Sequence, residues 1–210
     1  MSTGIRPPPA VLRILGLPGF HDAASRFFGA AVARLAFDAK FGGSDRDWSR
    51  FHERPEFIDP LARQAASFGP GTARILLLGC GAAGLIGSLP DDCYRSIVGV
   101  DLSPQAIDLA RGKWNSGKIR FEVGDMNAYV PAEPQDLIVL SESIYYLARR
   151  RCAGLFVRWR RENPGVTFFV TIAQPRRYAG YLRDIRKNSP AVWEDRAPVP
   201  GKPRHLIIFQ

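Results

Sequence analysis

Five short apolar runs fix what this chain can fold into: Ile75–Leu78, Ile97–Val100, Ile119–Val123, Leu137–Leu140 and Val166–Ile172. A strand with one wet face alternates polar and apolar residues. A run that is apolar without alternation is a strand covered on both faces, as in a parallel sheet. Between the runs lie helical stretches: Gly84–Leu89, Ser103–Trp114 and Tyr145–Arg161. Ser103-Pro104 supplies an N-cap followed by proline at the first helical position. Strand alternating with helix means βαβ units with right-handed crossovers. After Ile172 the pattern predicts a helix over Tyr178–Lys187, a strand over Val192–Val199 and a terminal strand over His205–Phe209. Proline-rich residues 198–203 join the last two as an antiparallel end pair.

The expected fold class is therefore α/β: a doubly wound, mostly parallel Rossmann-like sheet with an antiparallel C-terminal strand pair and an N-terminal helical lid. At 210 residues, with hydrophobic types at 46%, the chain suits one core. Residues 1–70 read as the arm and residues 71–210 as the catalytic domain. In the arm, Phe27, Phe28, Val32, Leu35 and Ala36 give one apolar face to a helix over His21–Lys40, stopped by Gly42-Gly43. A second helix covers Glu56–Phe68 and ends at Gly69-Pro70-Gly71. The arm is expected to fold over a cleft, where Trp48 and Phe51 either shape an acceptor pocket or seal the sheet edge.

The formal net charge of +9 lies wholly in the last third: residues 1–140 hold 15 basic and 15 acidic residues, residues 141–210 hold 14 and 5. Such an excess fits either solvated helix faces or attraction of an anionic acceptor or nucleic acid. Aromatics are not interleaved with these charges as a base-stacking platform requires. Three cysteines without a CxxC make neither a disulfide framework nor a zinc site, and no metal is expected. The early residues lack a signal-peptide pattern, and Phe27–Phe37 is too short to span a bilayer, so the expectation is a cytoplasmic protein without membrane contact.

In an open parallel sheet, ligands bind beyond the carboxyl ends of the strands, beside strand one. Gly79-Cys80-Gly81-Ala-Ala-Gly84 stands there. Glycines permit a sharp turn and close approach of a nucleoside, and a helix starting after them would present free N–H groups. Asp101 ends the second apolar run 22 residues past Gly79, where a carboxylate can accept both ribose hydroxyls. The glycine spacing also satisfies the dinucleotide fingerprint, so the loop alone leaves a nicotinamide enzyme open.

The segments that follow are more specific. Gly99-Val-Asp-Leu-Ser-Pro-Gln-Ala-Ile-Asp-Leu-Ala110, Phe121-Glu-Val-Gly-Asp-Met126 and Asp136-Leu-Ile-Val-Leu-Ser-Glu-Ser-Ile-Tyr-Tyr-Leu147 resemble the second, third and fourth motifs of class I S-adenosylmethionine-dependent methyltransferases. More narrowly, Glu142, Tyr145-Tyr146-Leu147 and Asp45-Arg-Asp-Trp48 resemble segments of the nodulation-type N-methyltransferases. The resemblance implies S-adenosylmethionine as cofactor and S-adenosylhomocysteine as product. It implies that backbone at Gly79, Cys80, Gly81 and Gly84 holds the methionine part and Asp101 the ribose. Asp125 would accept from the adenine amine, Leu102 and Met126 would sandwich the ring, and Ser141 and Glu142 would border the methyl group. Two departures stand out: Leu77 occupies the position where such enzymes usually carry an acid, and the loop is one residue longer than usual.

A small-molecule acceptor offering nitrogen or oxygen is the first expectation, with Glu142, Tyr145 and His52 as candidate bases. An RNA or protein acceptor, a nicotinamide-dependent oxidoreductase and a binding module without catalysis are the alternatives. Nothing in the chain indicates its oligomeric state.

Overall fold

The computed structural model describes residues 29–41, 55–86, 89–114, 116–147, 149–173, 175–197 and 204–210. Two helices, α1 (Gly29–Phe41) and α2 (Pro55–Ala66), precede the sheet. Strands β1 (Ala73–Leu78), β2 (Tyr94–Asp101), β3 (Ile119–Val123), β4 (Leu137–Ser141), β5 (Thr167–Ala173), β6 (Ala191–Ala197) and β7 (Arg204–Phe209) form one seven-stranded sheet in the order β3-β2-β1-β4-β5-β7-β6. Helix α3 (Pro104–Lys113) follows β2, α4 (Arg149–Glu162) follows β4, and α5 (Ala179–Arg186) follows β5. Neighbours from β3 through β5 pair in parallel.

The apolar runs become strands for the expected reason. Successive side chains point to opposite faces, and both faces are buried. Ile75, Leu77, Leu137 and Val139 belong to a core with Phe57, Ile58 and Leu61 of α2 and Ile107 and Ala110 of α3. Leu76, Leu78, Ile138 and Leu140 belong to the opposite core with Phe156 and Trp159 of α4 and Tyr181 and Ile185 of α5. Each large side chain so buried contributes about 1.5–3 kcal/mol.

Two expectations need correction. No α-helix forms over the described part of Gly84–Leu89. The Ala83, Ile86 and Leu89 N–H groups instead donate three residues back, to Cys80, Ala83 and Ile86 carbonyls. Gly87 and Pro90 stand in the segment between β1 and β2, and both disfavour a helix interior. The helix expected from Tyr145 begins at Arg149, because Ile144–Tyr146 close a single 3-10 turn first. The C-terminal strands form the expected antiparallel end pair, with β7 joined antiparallel to β5 and β6 at the edge of the sheet.

The arm is described at α1 and α2 only; His52, Trp48, Phe51 and Asp45–Asp47 lie outside the described residues. Helix α1 packs Ala33, Ala36 and Phe37 against Leu102 and Tyr146, at the carboxyl ends of β2 and β4. Its Asp38 accepts a hydrogen bond from Ser103 Oγ at 2.5 Å. Ser103 is itself the N-cap of α3, accepting from the Ala106 N–H at 3.2 Å. Helix α1 is thus fastened beside the strand ends where a ligand is expected.

Candidate active site

The glycine turn is built from positive φ angles at Gly79 (72°) and Gly81 (53°), a region that disfavours residues with a Cβ. Space excludes a side chain as well. A Cβ on Gly79 would stand 2.6 Å from Ser143 Cβ and 3.0 Å from Met126 Cε. One on Gly81 would stand 3.3 Å from Phe41 at the end of α1.

The turn's amides are not the free donors expected from the sequence. Gly79 and Cys80 N–H both donate to the Val100 carbonyl, at 2.8 and 3.0 Å. The Gly81 N–H donates to Asp101 Oδ2 at 2.8 Å. Asp101 Oδ1 accepts from the Ser103 N–H at 2.9 Å. Asp101 is buried at the end of β2 and ties the turn to the start of α3. The Cys80 thiol is buried, its pKa pushed well up by burial and next by the Asp101 charge, and it packs under Gly99. Leu77 is core, 2% exposed, and brings no charge to the turn. Gly84 is buried.

Beyond β3, the Gly124 N–H donates to the Asp101 carbonyl at 2.9 Å, placing the next loop beside Asp101. Asp125 Oδ1 accepts from the Asn127 N–H at 2.9 Å and from Asn127 Nδ2 at 2.7 Å. Met126 is half-buried and reaches the position above Gly79. Leu102 is half-buried under α1. Gly79, Gly81, Asp101 and Met126 therefore meet at one end of the sheet, with Asp125 on the adjoining loop.

The methyltransferase domain model matches residues 75–162, which hold every element just described except α1. Over 76 residues the chain is 37% identical to nodulation protein S of Rhizobium tropici, covering 36% of this chain and 32% of that protein. The match thus spans about a third of that curated relative's length. Among solved structures, the fold is similar to the N-methyltransferase NodS from Bradyrhizobium japonicum in complex with S-adenosyl-L-homocysteine, with TM-score 0.65, 19% identity, and 84% and 96% of the two chains covered. It is also similar to magnesium protoporphyrin IX methyltransferase from Synechocystis with bound S-adenosylmethionine, with TM-score 0.62, 11% identity, and 100% and 99% covered. At these identities the structural likeness speaks for the fold.

A second cluster stands where β4 ends. Glu142 has φ 54°, a strained value for a residue with a side chain. Its N–H donates to the Thr171 carbonyl and hydroxyl, both at 3.1 Å. Its carboxylate meets Arg204 Nε of β7 at 3.1 Å on Oε1. On Oε2 it accepts from Tyr145 OH at 3.0 Å and the Ala173 N–H at 3.1 Å. Burial pushes the Glu142 carboxyl above its ordinary range, opposed first by Arg204 and then by these hydrogen bonds. Arg204 is itself buried, 9% exposed.

Tyr145 does not suit the role of base. Its ring is buried and stacked on Tyr178 at 4.7 Å, and its hydroxyl already donates to Glu142. Burial, then the Glu142 charge, holds that hydroxyl well above the ordinary phenol value, so it stays protonated. Ser141 is buried with its hydroxyl 3.1 Å from Thr171 Oγ1, inside the sheet. Sequence reasoning missed Ser143, which donates to the Leu78 carbonyl at 2.7 Å and abuts Gly79. It also missed Arg204 and Thr171, which hold Glu142 from strands distant in sequence. Among the described residues no group of three or more His, Cys, Asp or Glu could hold a metal, and no helix is long and apolar enough to cross a membrane.

Proposed function

We propose that the chain is a methyltransferase that uses S-adenosylmethionine to methylate a nitrogen or oxygen of a small-molecule acceptor. The observation that carries this is Asp101: a buried carboxylate at the carboxyl end of β2, beside a glycine turn and within residues 75–162 that match a methyltransferase domain. The residues fit the nucleoside end of the cofactor. Asp101 sets a carboxylate at the carboxyl end of β2, the place where ribose hydroxyls are accepted in such a sheet. Asp125 has its Oδ2 without a hydrogen bond among the described residues, available to the adenine amine, and Leu102 and Met126 offer apolar contact to the ring. The fit to the amino-acid end is poorer, because the Gly79, Cys80 and Gly81 amides are engaged and Leu77 is core.

When bound, S-adenosylmethionine supplies a methyl group already activated by the sulfonium charge. The protein then has to orient the acceptor, keep water out and remove one proton. Helix α1, held to Ser103 through Asp38, closes one side. Glu142 is the group suited to take the proton: burial raises its basicity, and Arg204 and Tyr145 hold its orientation. NodS is named as an N-methyltransferase, which supports nitrogen before oxygen here.

Five arginines of the basic last third are engaged within the molecule, which limits what remains for an anionic partner. Arg149 pairs with Asp184, Arg186 with Glu194 and Arg204 with Glu142. Arg158 and Arg160 bond backbone carbonyls. The test is thermal melting with S-adenosylhomocysteine and, separately, NADH, followed by radiolabelled methyl transfer to fractionated small molecules. Stabilisation by S-adenosylhomocysteine with label in a small molecule is expected. Stabilisation by NADH alone would overturn the proposal.

A further inference from the structure

Arg158 lies on α4, on the far side of β4 in sequence, yet its guanidinium reaches the loop after β3. Its Nη1 donates to the Asn127 carbonyl at 3.1 Å and its Nη2 to the Tyr129 carbonyl at 3.0 Å. The side chain is 24% exposed, and its Nε stands 3.6 Å from Glu162 one turn further along the helix. A planar fork donating to two carbonyls two residues apart fixes the loop's direction as well as its distance, which a lysine's single ammonium would not do.

The same loop is closed from within. The Asp125 carbonyl accepts the Ala128 and Tyr129 N–H groups at 2.9 and 2.8 Å, while Asn127 fills Asp125 Oδ1 from backbone and side chain. Tyr129 folds over Gly124, where a Cβ would stand 3.2 Å from its ring, and its hydroxyl donates to Glu122 Oε2 at 3.0 Å. Residues 124–129 are thus a tight turn gripped by β3 at one end and by α4 at the other. Both bonds on Asp125 Oδ1 come from Asn127, and Arg158 holds the carbonyl of that asparagine.

We infer that Arg158 is a positioning residue for recognition of the nucleoside's base: it holds the Asn127–Tyr129 backbone so that Asp125 presents an acceptor to an exocyclic amine. This rests on the assignment of Asp125 to adenine under the proposed function. The specificity it confers is for a 6-amino purine over its 6-oxo counterpart, because a carboxylate facing a 6-oxo group meets an acceptor instead of a donor.

Calorimetric titration of the full chain with S-adenosylhomocysteine and with S-inosylhomocysteine tests this directly. The native protein should prefer the adenosyl ligand about tenfold or more, as expected for a hydrogen bond to a charged group. Arg158→Met should bring the preference toward unity, and Arg158→Lys should leave it in between. A native preference near unity would remove the Asp125 assignment itself. A native preference that survives undiminished in Arg158→Met overturns the role of Arg158, even if both ligands bind more weakly, since equal weakening is what a merely structural arginine would give. If Arg158→Met does not fold, Arg158→Lys decides by the same ratio, an undiminished preference again overturning the inference.

Discussion

Asp101 accepts the Gly81 N–H on one carboxylate oxygen and the Ser103 N–H on the other, joining the turn after β1 to the helix after β2. The residue expected to hold a ribose therefore also holds the site together. Asp101→Ala should abolish the rise in melting temperature caused by S-adenosylhomocysteine. It should also lower the ligand-free stability, because the buried Ser103 N–H loses its acceptor at about 1–3 kcal/mol and the half-buried Gly81 N–H loses its own at a smaller cost. From sequence alone the fold is expected to survive this change untouched, and the two backbone bonds are what alter that expectation. Melting curves with and without ligand measure both effects, and a full ligand response in the variant would remove Asp101 from the site.

Glu142 and Arg204 are 62 residues apart and 3.1 Å from each other. Glu142→Gln should reduce turnover by about 10²–10⁴ if the carboxylate takes the acceptor's proton, while S-adenosylhomocysteine affinity stays unchanged. Steady-state kinetics beside a binding titration would separate these, and equal losses in both would make Glu142 a cofactor ligand. The carboxyl is already raised above its ordinary 4.5 by burial, with Arg204 the largest opposing influence. A raised acid favours the folded state at low pH, and that contribution is lost as pH climbs from 4.5 through the raised value. Arg204→Met removes the opposing cation, so the acid limb of the turnover profile should move to higher pH.

How much of this was legible in the sequence depended on how local the determining contact was. The strands could be read because Ile75–Leu78 or Leu137–Leu140 need both faces buried, a property each run carries by itself. Ser103-Pro104 marked the start of α3 for the same reason, and the structure places Ser103 at the cap. The gathering of Gly79, Gly81 and Asp101 followed from strand order alone. What could not be read was set by distant partners. Arg204 and Thr171 decide the state of Glu142 from β7 and β5, and nothing near Glu142 announces them. The basic run through Arg158 looked like a solvated helix face, yet that arginine is directed into a loop. The missing helix after Gly84 had a local signal in Gly87 and Pro90, which disfavour a helix interior.

Two glycines predict opposite outcomes for the same substitution. Gly79→Ala forces a positive φ of 72° on alanine and a Cβ 2.6 Å from Ser143, so it should destabilise the protein by more than about 1 kcal/mol and weaken S-adenosylhomocysteine binding. Gly154 lies inside α4, where a Cβ would meet nothing within 4 Å. Gly154→Ala should stabilise by about 0.5–1 kcal/mol through helix propensity and leave ligand binding alone. Denaturant midpoints of the two variants give the comparison, and a stabilised Gly79→Ala would contradict the geometry of the turn.

Asp136 and Arg74 supply a control at the opposite end of the sheet. Arg74 donates Nε to Asp136 Oδ2 at 3.0 Å and Nη2 to Oδ1 at 2.9 Å, and the Arg74 N–H adds a third bond at 2.9 Å. Hydrogen bonding to Arg74 holds the Asp136 carboxyl below its ordinary 3.8. A lowered acid contributes stability that is complete above 3.8 and disappears as pH falls through the lowered value. The side chains are 32% and 27% exposed, so solvent screening limits the ion pair to about 1 kcal/mol or less. Asp136→Asn should lower stability at neutral pH by that order, and the gap from the native protein should close as pH falls through the lowered value and the native carboxyl protonates. Because the pair joins the amino end of β1 to the residue before β4, away from Asp101 and Glu142, kcat and KM should be unchanged. A loss of turnover without a loss of stability would mean that this end of the sheet communicates with the site.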